Sequence, residues 1–143
     1  HPNEPRWLEQ SARTAQEAAD SLGVAMGQIA KSIVFRRVAD DAVVLVVASG
    51  DRRVDETKVA QRVGPLARAD AAFVKARTGF AIGGVAPVAH RLPDGAAMVM
   101  LIDEQLFRFG TVWAAAGHPN GVFEIAPQDL QRHTGAPVAD VTP

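Results

Sequence analysis

Lys31 heads the run Lys31-Ser32-Ile33-Val34-Phe35-Arg36, which is otherwise apolar up to its last residue apart from one serine. A primary ammonium in that place has two readings. One is a solvated lysine at the start of a strand, because lysines are mostly exposed. The other is a cation aimed at a phosphate, a reading favoured by the apolar strand that would bear it. A second stretch offers chemistry of a different kind. Thr78-Gly79-Phe80-Ala81-Ile82-Gly83-Gly84-Val85-Ala86-Pro87 holds three glycines and a proline in ten residues. Glycine lets another molecule approach the main chain closely, and proline fixes one torsion while removing a donor. The useful groups of such a loop are its N–H and C=O rather than its side chains. It reads either as the wall of a small pocket with Lys31 across from it, or as a tight connection between a helix and a strand.

Other chemistries find less support. The Gly-x-Gly-x-x-Gly fingerprint and the Walker-type Gly-Lys-Ser/Thr are absent, so no nucleotide cofactor is expected. There is no Gly-x-Ser-x-Gly nucleophile elbow, and neither Ser32 nor Ser49 has an evident base. The histidines, His1, His90, His118 and His133, share no ligand spacing, so no metal is expected. His90 follows Pro87 by three residues and reads as either a pocket or a surface residue. With no cysteine in the chain, disulfides and thiolate chemistry are excluded, and a reducing cytoplasm is the natural setting.

The totals fit one α+β domain spanning residues 1–143, with 1–5 as an irregular lead-in. A chain of 143 residues with 48% hydrophobic and 22% charged side chains can bury a core of its own. Its net charge of -1 argues against broad binding to nucleic-acid backbone but leaves room for contact with one or two phosphates. The longest clean apolar run, Ala42 to Ala48, is far short of the roughly 20 residues that span a bilayer. No membrane partner is expected, and no secretory signal pattern is present. The chain starts at His1 and not at Met, as expected of a sequence lacking its natural first residues.

The elements that must position these groups follow from local pattern. Arg6 to Gln10 reads as a short strand. Thr14-Ala15-Gln16-Glu17 matches a capping box, followed by a helical stripe of Ala15, Ala18, Ala19 and Leu22 and a stop at Gly23. Met26 to Ala30 reads as a helical turn, and Lys31 to Arg36 as a strand. Asp40-Asp41 makes a hairpin turn into Ala42–Ala48, a run suited to a central strand covered on both faces. Asp55–Val63 and Asp70–Arg77 read as helices, stopped by Gly64-Pro65 and by Gly79. Ala97 to Ile102 is a second buried strand, and Asp103 to Phe107 a helical turn. Thr111–Ala116 and Val122–Ile125 are strands joined by the turn pentamer Gly117-His118-Pro119-Asn120-Gly121. Pro127 to His133 is a helix with proline at its start, and Val138 to Val141 a last short strand. Hairpin-joined strands mixed with short helices point to a mixed or mostly antiparallel sheet rather than a parallel βαβ wind.

Taken together, Thr14-Ala15-Gln16-Glu17-Ala18-Ala19, Gln28-Ile29-Ala30-Lys31-Ser32-Ile33-Val34-Phe35-Arg36, Val47-Ala48-Ser49-Gly50-Asp51, Thr78-Gly79-Phe80 and Gly83-Gly84-Val85-Ala86-Pro87 resemble the YbaK/EbsC family. That family includes free-standing aminoacyl-tRNA deacylases and the editing domain inserted in bacterial prolyl-tRNA synthetases. The likeness runs in order from about Thr14 to Val141, with the lysine and the Gly-x-x-x-Pro loop as its most specific marks. Two departures stand out: Ala89 replaces a frequent glycine, and little precedes Pro5 where the family carries a helix.

The resemblance implies an α+β fold with a mixed, mostly antiparallel, barrel-like sheet surrounded by short helices. It implies hydrolysis of the ester that joins a small amino acid, such as cysteine or alanine, to a mischarged tRNA of the proline type. Lys31 and Gly83 would be catalytic, and Ser49, Gly50, Thr78, Gly84, Val85, Ala86, Pro87 and His90 would bind substrate. The implied partner is the tRNA acceptor end with its 3′-terminal adenosine, joined by an aminoacyl-tRNA synthetase; no cofactor and no metal are implied. Two alternatives stay open: a non-catalytic module of the same fold that holds a tRNA end or a synthetase, and a hydrolase of small esters unrelated to tRNA.

Overall fold

A computed structural model of the chain describes residues 6–7, 15–78, 98–118 and 121–143. Its centre is strand β3, Val43–Ser49, in which every residue is buried. An unbroken apolar run of this length can only sit where both faces of a sheet are covered. The preceding strand β2, Ile29–Arg37, pairs with β3 antiparallel, from Ala30 opposite Ser49 to Arg36 opposite Val43. Between them Asp41 takes a positive φ of 57°, which an Asp side chain tolerates in a tight turn.

The remaining strands flank this hairpin. Strand β1 is Arg6–Trp7, β4 Leu66–Arg68, β5 Val99–Asp103, β6 Val112–His118, β7 Gly121–Ile125 and β8 Val138–Ala139. The sheet order is β1-β7-β6-β2-β3-β5-β8, with β4 paired to the far end of β2. β1·β7, β2·β3, β2·β4 and β6·β7 are antiparallel, and β2·β6, β3·β5 and β5·β8 are parallel. The α+β expectation with a mixed sheet therefore holds. The barrel-like closure does not, because among the described residues no pairing joins β1 to β8 and the sheet is open. Antiparallel pairing predominates as expected, in four of the seven strand pairs among the described residues; the parallel neighbours of β2 and β3 are strands far along the chain, which no hairpin signal could reveal.

Among the described residues four helices cover the sheet: α1 Ala15–Leu22, α2 Glu56–Val63, α3 Ala71–Thr78 and α4 Pro127–Thr134. Two 3₁₀ turns, Met26–Gln28 and Glu104–Arg108, lead into and out of the site end of the sheet. Asp55 caps α2 by accepting from the N–H of Thr57 at 3.0 Å and of Lys58 at 3.3 Å. Gly23 and Gly135 close α1 and α4 in the left-handed region, at φ 71° and 67°. The capping box proposed at Thr14 and the stop at Gly79 lie outside the described residues.

Three local readings need correction. Gly64-Pro65 does more than stop α2, because the next three residues form β4 against Phe35–Arg37. The turn after β6 is tighter than a pentamer: His118 already pairs with Gly121, with an irregularity between Ala115 and His118. The last strand ends at Ala139, and Val141 instead accepts a hydrogen bond from the Asp55 N–H at 2.8 Å.

Alternation of side chains across β2 and β3 divides the core in two. Ala30 and Val34 face Leu45 and Val47 in one cluster, shared with Val74 of α3, Leu106, and Leu130 of α4. Ile33 and Phe35 face Val44, Val46 and Ala48 in the other, shared with Val59 of α2, Leu101 and Val141.

Candidate functional site

Lys31 lies in β2 opposite Ala48 of β3, two residues from the strand's start. Parity places it on the α2 side of the sheet, in line with Ile33 and Ala48. Its side chain is half-buried. Burial pushes the ammonium below its ordinary pKa, opposed by the negative charge of Asp51 and aided by the positive charge of Arg53. Among the described residues, no carboxylate stands within 4.0 Å of it. A partly desolvated cation without an ion-pair partner is costly to maintain and suits the binding of an anion from outside.

The chain just beyond β3 makes a polar clasp next to this lysine. Ser49 is fully buried on the opposite face from Lys31. Its hydroxyl donates to the Gly27 carbonyl in a short hydrogen bond and accepts from Nη2 of Arg108 at 2.9 Å. Arg108 also grips Asp51 with both prongs, Nη2 to Oδ1 at 2.8 Å and Nη1 to Oδ2 at 3.3 Å. Those bonds, with Arg52 nearby, hold the Asp51 carboxyl below the usual carboxylate range. The Arg108 guanidinium lies 5.0 Å from the centre of the Phe109 ring.

Two glycines let this clasp close. A Cβ on Gly27 would stand 2.8 Å from Phe109 Cζ and 2.9 Å from Asp51 Oδ2. One on Gly50 would meet the Met26 carbonyl oxygen at 2.6 Å and Ala15 Cβ at 2.7 Å. Gly50 also donates its N–H to the Ile29 carbonyl at 2.7 Å. Ser49 and Gly50, expected to touch substrate, are thus engaged in holding the strand end to the turn before β2.

Thr78 ends α3 and is buried, its hydroxyl donating to the Val74 carbonyl at 2.6 Å. Val74 belongs to the core cluster on the face opposite Lys31. Gly83, Gly84, Val85, Ala86, Pro87 and His90 lie outside the described residues. Hence the structure brings Lys31, Ser49, Gly50 and Asp51 to one end of the sheet, with Thr78 at the point where the chain leaves α3 for the glycine loop.

Arg108 was not singled out by the sequence, and Asp51 entered only as part of a motif. Arg108 is 57 residues from Asp51. Only the parallel pairing of β5 with β3 and the 3₁₀ turn after it bring the two together, and neither leaves a local mark. Ser32, dismissed as a nucleophile, has a buried hydroxyl without a hydrogen-bond partner among the described residues. Among the described residues no group of three or more His, Cys, Asp or Glu could hold a metal ion. No helix among them is long and apolar enough to cross a membrane.

Residues 9–133 match the model of a family described as "Aminoacyl-tRNA editing domain". The chain belongs to this YbaK-like family of editing domains. It is 38% identical over 131 residues to the uncharacterized protein YwhH of Bacillus subtilis (strain 168), covering 90% of this chain and 79% of that one. It is 33% identical over 118 residues to a proline–tRNA ligase of Lactobacillus helveticus (strain DPC 4571), covering 81% of this chain but 20% of the ligase. A crystal structure described as "a putative trans-editing enzyme for prolyl tRNA synthetase" superposes with a TM-score of 0.87 at 41% identity, covering 97% of this chain and 85% of that one. The editing-domain fold and the open mixed sheet described above agree.

Proposed function

We propose that this protein is an aminoacyl-tRNA deacylase, acting in the cytoplasm, that hydrolyses the ester of a mischarged tRNA bearing a small amino acid such as cysteine or alanine. The observation that carries the reading is Lys31: a half-buried ammonium with no ion-pair partner among the described residues, on a strand against the centre of the sheet. The ligase relatives and the neighbour described as a trans-editing enzyme favour tRNA-Pro as the substrate and a prolyl-tRNA synthetase as the partner that releases it.

In this reading Lys31 holds a phosphate beside the terminal adenosine. A water attacks the ester carbonyl, the acyl C–O bond breaks, and the ribose oxygen leaves with a proton, yielding free amino acid and uncharged tRNA. Proton transfer runs through the ribose hydroxyl or a water it holds. The backbone N–H of Gly83 stabilises the oxyanion, a contribution of about 3–4 kcal/mol. Positioning of the ester supplies on the order of 7–11 kcal/mol at best. Thr78, Gly84, Val85, Ala86, Pro87 and His90 line a pocket whose size selects a small side chain. One methylene of misfit is worth only ~1–3 kcal/mol, so the choice among small amino acids is a narrow one. Ser49 and Gly50 serve by shaping the strand end on which Lys31 stands.

The test is deacylation of a panel of mischarged tRNAs, with Lys31→Ala and Gly83→Val alongside the wild type. Cleavage of small aminoacyl esters is expected, with Lys31→Ala slowed about a hundredfold, the size of a lost charge-assisted hydrogen bond. Gly83→Val should fill the pocket and stop turnover. A near-wild-type rate in Lys31→Ala would end the assignment. Binding of the tRNA end without cleavage of any ester would favour the non-catalytic module, and cleavage of free esters independent of Lys31 a hydrolase of another kind.

A further inference from the structure

Asp51 lies three residues beyond Ala48, the strand partner of Lys31, and its charge acts on the Lys31 ammonium, yet the two do not form an ion pair. Left alone, a flexible carboxylate beside an unpaired ammonium would be expected to pair with it. Such a pair would fill the place where a substrate anion must sit. Both Asp51 oxygens are instead occupied, one by each terminal nitrogen of Arg108. The guanidinium is itself fixed on three further sides. Nε donates to the Gln105 carbonyl at 2.7 Å, Nη2 donates to Ser49 Oγ at 2.9 Å, and the Phe109 ring lies beneath. Gly27 leaves no space on the remaining side, since a Cβ there would reach Asp51 Oδ2.

We propose that Arg108 is a positioning residue: its two-pronged grip on Asp51 keeps that carboxylate off the Lys31 ammonium and leaves the ammonium open to a substrate phosphate. The inference rests on the reading of Lys31 as the anion-binding group. It adds a residue and a mode of action which that reading does not contain. The other charges that bear on the pair are Arg53, whose positive charge acts on Lys31, and Arg52, whose Nε is 4.0 Å from Asp51 Oδ1. From β5, Asp103 follows Ile102, the partner of Val47, but its carboxylate is committed to Thr142 and to the Gln105 N–H. Among the described residues, Asp51 is therefore the carboxylate free to compete once Arg108 is gone. A planar fork is needed for the hold, because a lysine ammonium is a point charge and cannot engage both oxygens in the same fixed plane.

The experiment follows the titration of Lys31 by NMR in the full chain with labelled lysine, beside KM and kcat on the cleaved aminoacyl-tRNA. In Arg108→Gln, Asp51 swings to Lys31, so Lys31 titrates at higher pH than in the wild type. KM rises about fivefold, as for a partly exposed ion pair worth close to 1 kcal/mol, while kcat holds. In Arg108→Gln with Asp51→Asn, both changes disappear. Arg108→Lys, which keeps the stem and one charge, gives a smaller change of the same sign and serves if the glutamine variant does not fold. A Lys31 titration unmoved in both single variants overturns the proposal, as does a double variant no different from the single one. If the titrations behave as expected while even the wild type cleaves no aminoacyl ester, the positioning stands and the deacylase reading falls.

Discussion

Lys31 and Lys58 are alike in chemistry and both are half-buried, but they keep different company. The Lys58 ammonium lies 3.0 Å and 3.1 Å from the two Asp140 oxygens and 2.8 Å from the Thr142 carbonyl. It ties α2 to the end of the chain, beside the bond from the Asp55 N–H to the Val141 carbonyl. All three of its donors can be used within the fold. Lys31, on strand β2, has no such partners among the described residues, and Asp51, the carboxylate whose charge acts on it, is held by Arg108. Exposure alone would not tell the two apart. What separates a lysine that holds the fold from one that awaits a ligand is whether the structure has already supplied its anion.

The largest effect that would break this contrast is in Lys31→Ala. Deacylation should fall about a hundredfold, yet thermal stability should not fall with it. The sign follows from linkage. Burial lowers the Lys31 pKa in the folded state, so the unfolded chain binds that proton more tightly. The charged lysine therefore costs stability at neutral pH, and this cost fades only as pH rises through the folded value towards 10.5. Removing it should leave the melting temperature equal or higher, a trade of stability against activity. A lower melting temperature would mean that Lys31, like Lys58, is a structural residue.

Gly50→Ala comes next and acts on the platform itself. The added methyl would sit 2.6 Å from a backbone carbonyl and 2.7 Å from Ala15 Cβ, and neither can move cheaply. Overpacking of this kind costs about 2–3 kcal/mol. A urea midpoint shifted by that amount is expected, with deacylation per folded molecule also reduced. Wild-type stability would show that the join between strand end and turn is looser than drawn.

Much of this was readable in the residues. The buried run Ala42–Ala48 became the central strand because continuous apolar character leaves a strand no other place. Asp55 and Gly64 fixed helix ends through local chemistry, and local chemistry is what a sequence states most plainly. The parallel pairings were not readable, since β5 and β6 meet β3 and β2 only through long crossovers. That is why an open sheet was expected to be barrel-like, and why β4, which follows directly on Pro65, was missed. At the site, Lys31 stood out by its place on an apolar strand. The roles of Ser49 and Gly50 in holding the strand end, and the presence of Arg108, depended on contacts between distant segments. The glycine loop was the most conspicuous pattern in the chain, and it lies outside the described residues.

Lys58→Ala is the counterpart to the lysine variant above, with the readouts exchanged. The pair with Asp140 is partly exposed, side chains being 33% and 53% accessible, so its worth is small. The bond to the Thr142 carbonyl adds to it. A loss of about 1 kcal/mol is expected for the set, seen as a lower urea midpoint with an unchanged rate constant for deacylation. If the rate fell instead, the C-terminal tail would be coupled to the site and the two lysines would not be independent.

The smallest effect concerns the carboxylate between these two regions. Asp103 is fully buried at the end of β5. Its oxygens accept from the Thr142 hydroxyl at 3.2 Å and 3.4 Å and from the Gln105 N–H at 3.3 Å. Burial raises its pKa above the usual carboxylate value, and those hydrogen bonds only partly offset the rise. The folded chain therefore holds this proton more tightly than the unfolded one. Stability from this group is greatest in acid and declines as pH rises from the ordinary value of 3.8 through the raised one, staying low at neutral pH. Asp103→Asn keeps the acceptor for Gln105 and has an amide that can donate to Thr142 Oγ1, without a charge to bury. Urea midpoints of the two proteins should meet at low pH and part towards neutrality, with the asparagine variant the more stable. A variant less stable at neutral pH would mean that the Asp103 charge, with Thr142 and Lys58 behind it, helps hold the tail. The tail would then be tied to the sheet by two charges rather than one.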